Sequence, residues 1–133
     1  MTVHSFKEMT GFSVLHNSED WRVALHAYDE SVNGICALKN WGIHMDSEEA
    51  FALLEGRAVL LTKDSETSPK CCIMEKGKLY VVNAGERHGI GLLPGSSVLI
   101  MENRDMSRFC QEPITESITE IITKNLDEFR NES

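Results

Sequence analysis

Three residues of this chain have side chains that commonly bind metal ions, and all three lie beside predicted turns. His44 and Glu49 flank the turn at residues 46–48, and His88 follows the turn at residues 83–85. Two imidazoles and one carboxylate can hold a divalent metal ion while leaving coordination positions open for a substrate. The residue types therefore predict a metal-centred small-molecule site at His44, Glu49 and His88.

Each of these residues also has an ordinary structural explanation. A single buried histidine such as His44 more often forms a hydrogen bond than binds a metal. Glu49 belongs to an acidic run with Asp46 and Glu48, and His88 can simply complete a turn. Only the joint occurrence of the three residues favours the metal site.

Strands are the elements that must position these side chains. The segment Trp21–Tyr28 alternates in hydrophobicity, which is the period of a strand, and turn residues recur about every eight to twelve residues afterwards. Many short strands separated in this way indicate a barrel or a sandwich. The predicted strands span residues 21–28, 35–44, 49–54, 57–62, 71–75, 79–82, 87–92 and 97–102.

The C-terminal tail has a different period. Its apolar residues recur at spacings of three and four, which predicts an amphipathic helix over about residues 115–130. The β-branched content weakens helix formation, because such side chains are stiff at χ1. We expect the helix to pack over a barrel end or against a partner. The apolar residues are Ile114, Ile118, Ile121, Ile122, Leu126 and Phe129.

Composition excludes several classes of function. The net charge of −8 over 133 residues argues against nucleic acid, which needs a basic surface. No stretch approaches the roughly 18 apolar residues of a membrane span, and the N-terminus lacks a signal-peptide pattern. These features favour a cytoplasmic protein.

The spacing of Cys36, Cys71, Cys72 and Cys110 does not match a zinc finger. We therefore expect reduced thiols, with an oxidation-sensitive pair at Cys71 and Cys72 as the alternative.

The first metal-capable segment resembles a motif of the cupin superfamily. That motif contains a glycine, five residues, His-x-His, three or four residues, a glutamate, six residues and a glycine. Here His44, four residues, Glu49, six residues and Gly56 match its second half. Gly42 stands where the first histidine of the pair would be.

The second segment resembles the other cupin motif. That motif contains a glycine, five residues, Pro-x-Gly, two residues, a histidine, three residues and an asparagine. Here Gly77, residues 83–85 and His88 match in order and spacing, with Asn83 in place of proline and Leu92 in place of asparagine. The motifs cover about residues 42–92.

The resemblance implies an all-β, single-domain cupin, a double-stranded β-helix or jelly-roll barrel with a C-terminal α-helix. The domain would span residues 1–133, with a barrel core at about 20–103 and a helical tail at about 113–131. The resemblance also implies that His44, Glu49 and His88 bind a divalent metal ion (Fe, Mn, Ni or Zn), one ligand short of the family set because of Gly42. A homodimer is expected on the same ground.

Five further residues are weaker candidates for the pocket. His26 can contribute to the pocket or replace the missing ligand if its strand turns Ala24, His26 and Tyr28 inward. Arg87 can steer an anionic substrate. For each of them a core or surface role is the simpler interpretation. The five candidates are His26, Tyr28, Phe51, Tyr80 and Arg87.

Two functions fit these observations. In the first, the metal acts as a Lewis acid or activates water or dioxygen on a small polar metabolite, such as a sugar, sugar acid or organic acid. Isomerase, epimerase, lyase and dioxygenase chemistry all remain open. In the second, the protein is a non-catalytic ligand-binding or sensor cupin with a vestigial metal site. The two functions correspond to two interpretations of Gly42. If the glycine leaves an open coordination position for substrate, catalysis is favoured; if it marks decay of the metal site, ligand binding alone is favoured.

Overall fold

The computed structural model describes residues 1–64 and 67–132, which form two antiparallel five-stranded sheets. Sheet 1 has the order β1-β2-β9-β4-β7, and sheet 2 has the order β10-β3-β8-β5-β6. The strands are β1 (Gly11–Asn17), β2 (Trp21–Ala27), β3 (Asn40–His44), β4 (Glu49–Glu55), β5 (Ala58–Lys63), β6 (Lys70–Ile73), β7 (Tyr80–Val82), β8 (Arg87–Leu92), β9 (Ser97–Asn103) and β10 (Phe109–Pro113). This is the all-β jelly-roll architecture that the sequence predicts.

Two edge strands lie outside the predicted barrel range of residues 20–103. β1 pairs with β2, and β10 pairs with β3. Each is therefore the outermost strand on one edge of its sheet. The sheets accordingly extend further along the chain than the cupin motifs and the strand periodicity indicated.

The predicted strand over residues 35–44 is wrong in its first half. Residues Ile35–Ala37 form a 3₁₀ turn after the short helix α1 (Glu30–Asn33), and β3 begins only at Asn40. Ile35 and Leu38 pack against the same apolar cluster. Residues three apart share a side in a helical turn but lie on opposite faces of a strand, so this burial favours the turn.

The barrel interior is apolar at one end. Phe51, Leu60 and Ile100 are almost fully buried, and residues from both sheets pack around them. The cluster consists of Ala24, Phe51, Leu53, Ala58, Leu60, Met74, Val82, Leu92, Val98 and Ile100. This packed end leaves the other end of the barrel for polar side chains.

The C-terminal helix α2 (Ile118–Glu132) covers the outer face of sheet 2. Ile121 is buried against Trp41, Val59 and Leu61, and Ile118 and Ile122 pack at the margin of the same cluster. The helix thus lies on its own barrel wall and not over a barrel end. The side chains of Leu126 and Phe129, which the helix prediction included, lie outside the described part of the chain.

Candidate metal centre

The three predicted ligands come together from three strands. His44 ends β3, Glu49 begins β4 after a short turn, and His88 lies in β8, which pairs with β3. One potential ligand atom from each lies within 4.8 Å of the others. All three residues are buried, at 6%, 5% and 8% exposure respectively. A group that the sequence separates by 44 residues is thus assembled at the polar end of the barrel.

Glu49 Oε2 is the centre of this group. It lies 2.6 Å from Nε2 of His88 and 3.1 Å from Nε2 of His44. Neither contact has the alignment of a hydrogen bond, so this fully buried oxygen has no hydrogen-bond partner in the described structure. A buried carboxylate oxygen in that situation is costly. A cation held by the oxygen and the two nitrogens would satisfy it, so the residues fit a metal ion.

The charges of the group are coupled. Burial raises the pKa of Glu49, but the adjacent His44 and His88 rings outweigh burial and hold this pKa well below its ordinary value. Burial lowers the pKa of His88, but Glu49 outweighs burial and raises it overall. Both shifts favour the charged forms, so ion pairing of Glu49 with His88 is favoured when no metal ion is bound.

The hydrogen bond of the other His88 nitrogen orients the ring. Nδ1 lies 3.4 Å from the backbone oxygen of Glu86, and a carbonyl can only accept. Nδ1 thus carries the proton when the ring is neutral, which leaves the lone pair of Nε2 directed at Glu49. This is the arrangement that metal-binding histidines use.

Phe109 occupies the space next to Gly42. A Cβ atom at residue 42 would lie 3.1 Å from Cε2 of Phe109 and 3.4 Å from Nε2 of His88. Position 42 therefore faces the site, as the motif resemblance implies. The Phe109 ring also packs on His44, with ring centroids 4.8 Å apart. An aromatic ring from β10 fills the place where the family motif has an imidazole.

Two charged residues that the sequence analysis did not predict complete the polar end. Glu102 in β9 is 8% exposed, and its Oε1 lies 3.6 Å from Nε2 of His44. Arg22 in β2 binds the other oxygen, Oε2, through Nε at 2.7 Å and Nη2 at 2.6 Å. Burial and the neighbouring Glu49 raise the pKa of Glu102, and Arg22 opposes that rise.

Strand alternation contained a signal for both residues. Glu102 continues the inward series Val98 and Ile100, and Arg22 shares its face with Ala24 and His26. A charged residue in an inward register position is the pattern to seek. No comparable signal existed for Phe109, because β10 was not predicted.

The group opens into a cavity of about 400 Å³. Its polar wall includes Arg22, His26, Glu102, Lys39 and Gln111 as well as the three predicted ligands. Its apolar wall consists mainly of Phe12, Val32, Leu38, Phe51, Ile90, Ile100, Met106 and Phe109. The mixture of a few polar groups with apolar walls is typical of small-molecule sites.

The weaker pocket candidates divide into two sets. His26 and Phe51 line the cavity. His26 lies 3.2 Å from the amide nitrogen of Asn33, and burial lowers its pKa. It is not a member of the compact three-residue group.

The other three candidates are not brought to the cavity. The Tyr28 hydroxyl donates a hydrogen bond to Glu30, and the Tyr80 hydroxyl accepts one from the backbone of Glu75. Both rings pack against the apolar cluster of the barrel. Arg87 points outward from β8 and forms a bidentate ion pair with Glu112.

Comparison with solved structures identifies the class of fold. The chain is similar to a cupin-2 domain protein from Shewanella frigidimarina NCIMB 400, with 22% identity, 74% of this chain and 85% of that chain covered, and a TM-score of 0.51. It is also similar to an RmlC-like cupin protein from Desulfovibrio desulfuricans (16% identity, 77% and 96% covered, TM-score 0.54). A third match is KdgF from Halomonas sp. (16% identity, 71% and 79% covered, TM-score 0.53).

These likenesses show that the chain has the cupin fold, which confirms the resemblance drawn from the two motifs. No protein-family model matches the sequence, and no curated protein matches it. Within the described residues, no helix is long and apolar enough to cross a membrane.

Proposed function

We propose that this chain binds one divalent metal ion through His44, Glu49 and His88 and acts on a small polar metabolite in the barrel cavity. The observation that carries the proposal is the buried Glu49 Oε2 between two imidazole nitrogens, with no hydrogen-bond partner in the described structure. The ligand types suit Fe, Mn, Ni or Zn.

A metal ion held by His44, Glu49 and His88 would supply Lewis acidity or activate water or dioxygen. The protein residues bind and orient the ligand around it. Phe51, Ile90 and Phe109 keep water from the apolar side of the cavity. His26, on the polar wall of the cavity, is biased towards its neutral form by burial and can accept or donate a proton.

The charge of the cavity favours an acidic ligand. Arg22 and Lys39 balance the two carboxylates Glu49 and Glu102 in the lining. A bound divalent ion would then leave the wall net positive. Among the metabolites that the sequence allows, this supports a sugar acid or another organic acid over a neutral sugar.

Titration calorimetry tests this proposal. Chelator-treated protein is titrated with Mn²⁺, Fe²⁺, Ni²⁺ and Zn²⁺ separately, and we expect one site per chain for at least one of them. The Glu49→Ala and His88→Ala variants should lose that site, whereas the control His16→Ala, outside the cavity, should keep it. The loaded protein is then screened for turnover of sugar acids and organic acids. Absence of binding for every metal would refute the proposal.

The second candidate is a ligand-binding or sensor cupin without catalysis. The 2.6 Å contact between His88 and Glu49 favours it, because this ion pair partly satisfies the group without a metal. The Phe109 ring in the place of an imidazole is consistent with a lost site. Binding of an organic acid by metal-free protein, without turnover, would favour this candidate.

We also propose that two copies of the chain form a homodimer. The support is an apolar row on the outer face of sheet 1, where Val23, Met101, Ala50 and Val81 lie in register across four strands. Val81 is 48% exposed. Covering such a face stabilises a dimer. Light scattering of the eluting protein should give twice the chain mass, and Met101→Lys should reduce it to that of one chain.

We also propose a cytoplasmic location. All four cysteines are free, and Cys36, Cys72 and Cys110 are exposed. Free exposed thiols persist in a reducing compartment. Fractionation of cells that express the tagged chain tests this location.

A further inference from the structure

We propose that Glu102 is an additional metal ligand, through Oε1, and that it replaces the imidazole that Gly42 cannot supply. The inference rests on the proposed metal binding and adds a second carboxylate to the site. The donor set would then be two imidazoles and two carboxylates.

The position of Glu102 is the first support. Its Oε1 lies 3.6 Å from Nε2 of His44, and its carboxyl group neighbours that of Glu49. The residue is 8% exposed. Glu102 therefore lies beside two of the three members of the compact group, buried with them at the same end of the barrel.

Arg22 fixes which oxygen faces the site. Both of its close contacts, from Nε and Nη2, are to Oε2 of Glu102. This pairing leaves Oε1 on the side of His44. Ligating carboxylates in metal sites are themselves hydrogen-bonded by outer-shell partners, and Arg22 can orient Glu102 in this way.

The separations of the donor atoms agree with shared coordination. Two donor atoms about 2.1 Å from one ion lie about 3.0 Å apart at a right angle and about 3.4 Å apart in a tetrahedron. The observed distances from His44 Nε2 are 3.1 Å to Glu49 and 3.6 Å to Glu102. Glu102 is not part of the group whose ligand atoms all lie within 4.8 Å of one another, so its side chain would have to shift to bring Oε1 to an ion shared with His44 and Glu49.

The two carboxylates Glu49 and Glu102 would also influence which metal ion binds. Two ionised carboxylates in contact repel each other, and a cation between them removes that repulsion. Replacing an imidazole with a carboxylate also makes the donor set harder. Because oxygen-rich sites suit Mn²⁺ more than soft-ligand metals, we expect a preference for Mn²⁺ or Fe²⁺ over Zn²⁺ relative to a site with three imidazoles.

A competition titration against a chromophoric chelator tests the role of Glu102. We expect Glu102→Gln to weaken Co²⁺ and Mn²⁺ binding by about 100-fold or more, because loss of an outer-shell partner alone typically costs about 10- to 100-fold. The matched control is Glu112→Gln, since Glu112 also pairs with an arginine, Arg87, but on the surface. The control should bind metal like the wild type.

A crystal structure of the wild-type protein with Co²⁺ makes the test independent of the folding of any variant. An Oε1–Co²⁺ distance of about 2.0–2.2 Å would support the inference, and a distance beyond about 3 Å would overturn it. If wild type and Glu102→Gln bind metal equally, the inference fails while the proposed metal binding stands. If the wild type binds no metal, both fail.

Discussion

Gly42 has no side chain, and the Phe109 ring packs into the space beside it. The ring stands within 3.1–3.3 Å of where a Cβ would be, so the site cannot accept an imidazole there without movement of Phe109. Gly42 does not have a positive φ, and the backbone itself therefore permits histidine. Packing, not backbone conformation, separates this site from the family ligand set.

Restoring the family residue should therefore depend on Phe109. We expect Gly42→His alone to lower the free energy of unfolding by about 1–3 kcal/mol, the usual cost of overpacking. In a Phe109→Ala background the same change should cost less, and the double variant should bind metal more tightly than Phe109→Ala alone. Urea denaturation and metal titration measure the two effects. A fully stable single variant would show that Phe109 does not fill this space.

Elements that contribute none of the three predicted ligands hold the cavity wall in place. Helix α1 is short, and the buried Asn33 ties it to the end of β2. Its amide donates to the backbone oxygen of Ala27 at 2.9 Å, and its Oδ1 accepts from the backbone of Asp29 at 2.9 Å. The same side chain lies beside His26, so the helix also positions a cavity residue.

Removal of this side chain should affect stability more than metal binding. We expect Asn33→Ala to lower the free energy of unfolding by about 1–3 kcal/mol, because it removes hydrogen bonds to the buried carbonyl of Ala27 and the half-buried amide of Asp29. Asn17→Ala, at an exposed strand end, is the control and should change little. Urea denaturation measures both. Equal stability of the two variants would contradict the role given to Asn33.

Helix α2 gives a second test at the scale of elements. Ile121 is 8% exposed and packs on Trp41 and Leu61. We expect Ile121→Ala to cost about 2–5 kcal/mol, with metal stoichiometry unchanged. The exposed Thr123→Ala on the same helix should lie within about 0.5 kcal/mol of the wild type. If thermal and urea unfolding show no loss for Ile121→Ala, the helix does not stabilise this wall of the barrel.

The sequence predicts those strands that are short, mostly apolar runs between marked turns. β4, β5, β8 and β9 are of this kind, and their predicted bounds lie close to the observed ones. Residues 35–37 were misread because a short apolar run fits either a strand or a helical turn. β1 and β10 were missed because edge strands bury few side chains and so lack a strong apolar pattern.

At the scale of the whole molecule, the barrel brings residues that are distant in sequence into contact, so that the pKa values of Glu49 and His88 depend on each other. The motif spacing located the three predicted ligands, which the fold assembles. It could not locate Glu102 or Arg22, because the pairing of β2 with β9 joins residues 80 positions apart. Strand alternation indicates the direction of Arg87, since it precedes the inward-facing His88 on β8 and therefore points outward.

This coupling predicts how the stability of the metal-free protein depends on pH. Since the folded-state pKa of His88 is raised above its ordinary 6.5, its contribution is full below about pH 6.5 and is lost as pH rises through the folded value. The folded-state pKa of Glu49 is lowered from 4.5, so its contribution is present above about pH 4.5 and is lost as pH falls. We expect this ion pair to stabilise the protein most between these limits.

The measurement is urea unfolding of the metal-free protein from pH 5 to pH 8. His88→Gln should remove the part of the decline above about pH 6.5 that this ion pair causes. Metal affinity should have the opposite trend, because binding displaces the His88 proton. Metal affinity that is constant over this range would contradict the assignment of His88 as a ligand.

The central claim is that His44, Glu49 and His88 hold a metal ion in the protein. Elemental mass spectrometry of tag-free protein, purified without chelators, tests it most directly. We predict about one transition-metal ion per chain in the wild type, and almost none in Glu49→Ala or His88→Ala prepared in parallel. A wild-type protein without metal that also fails to take up Fe, Mn, Ni or Zn would contradict the claim and leave a ligand-binding barrel.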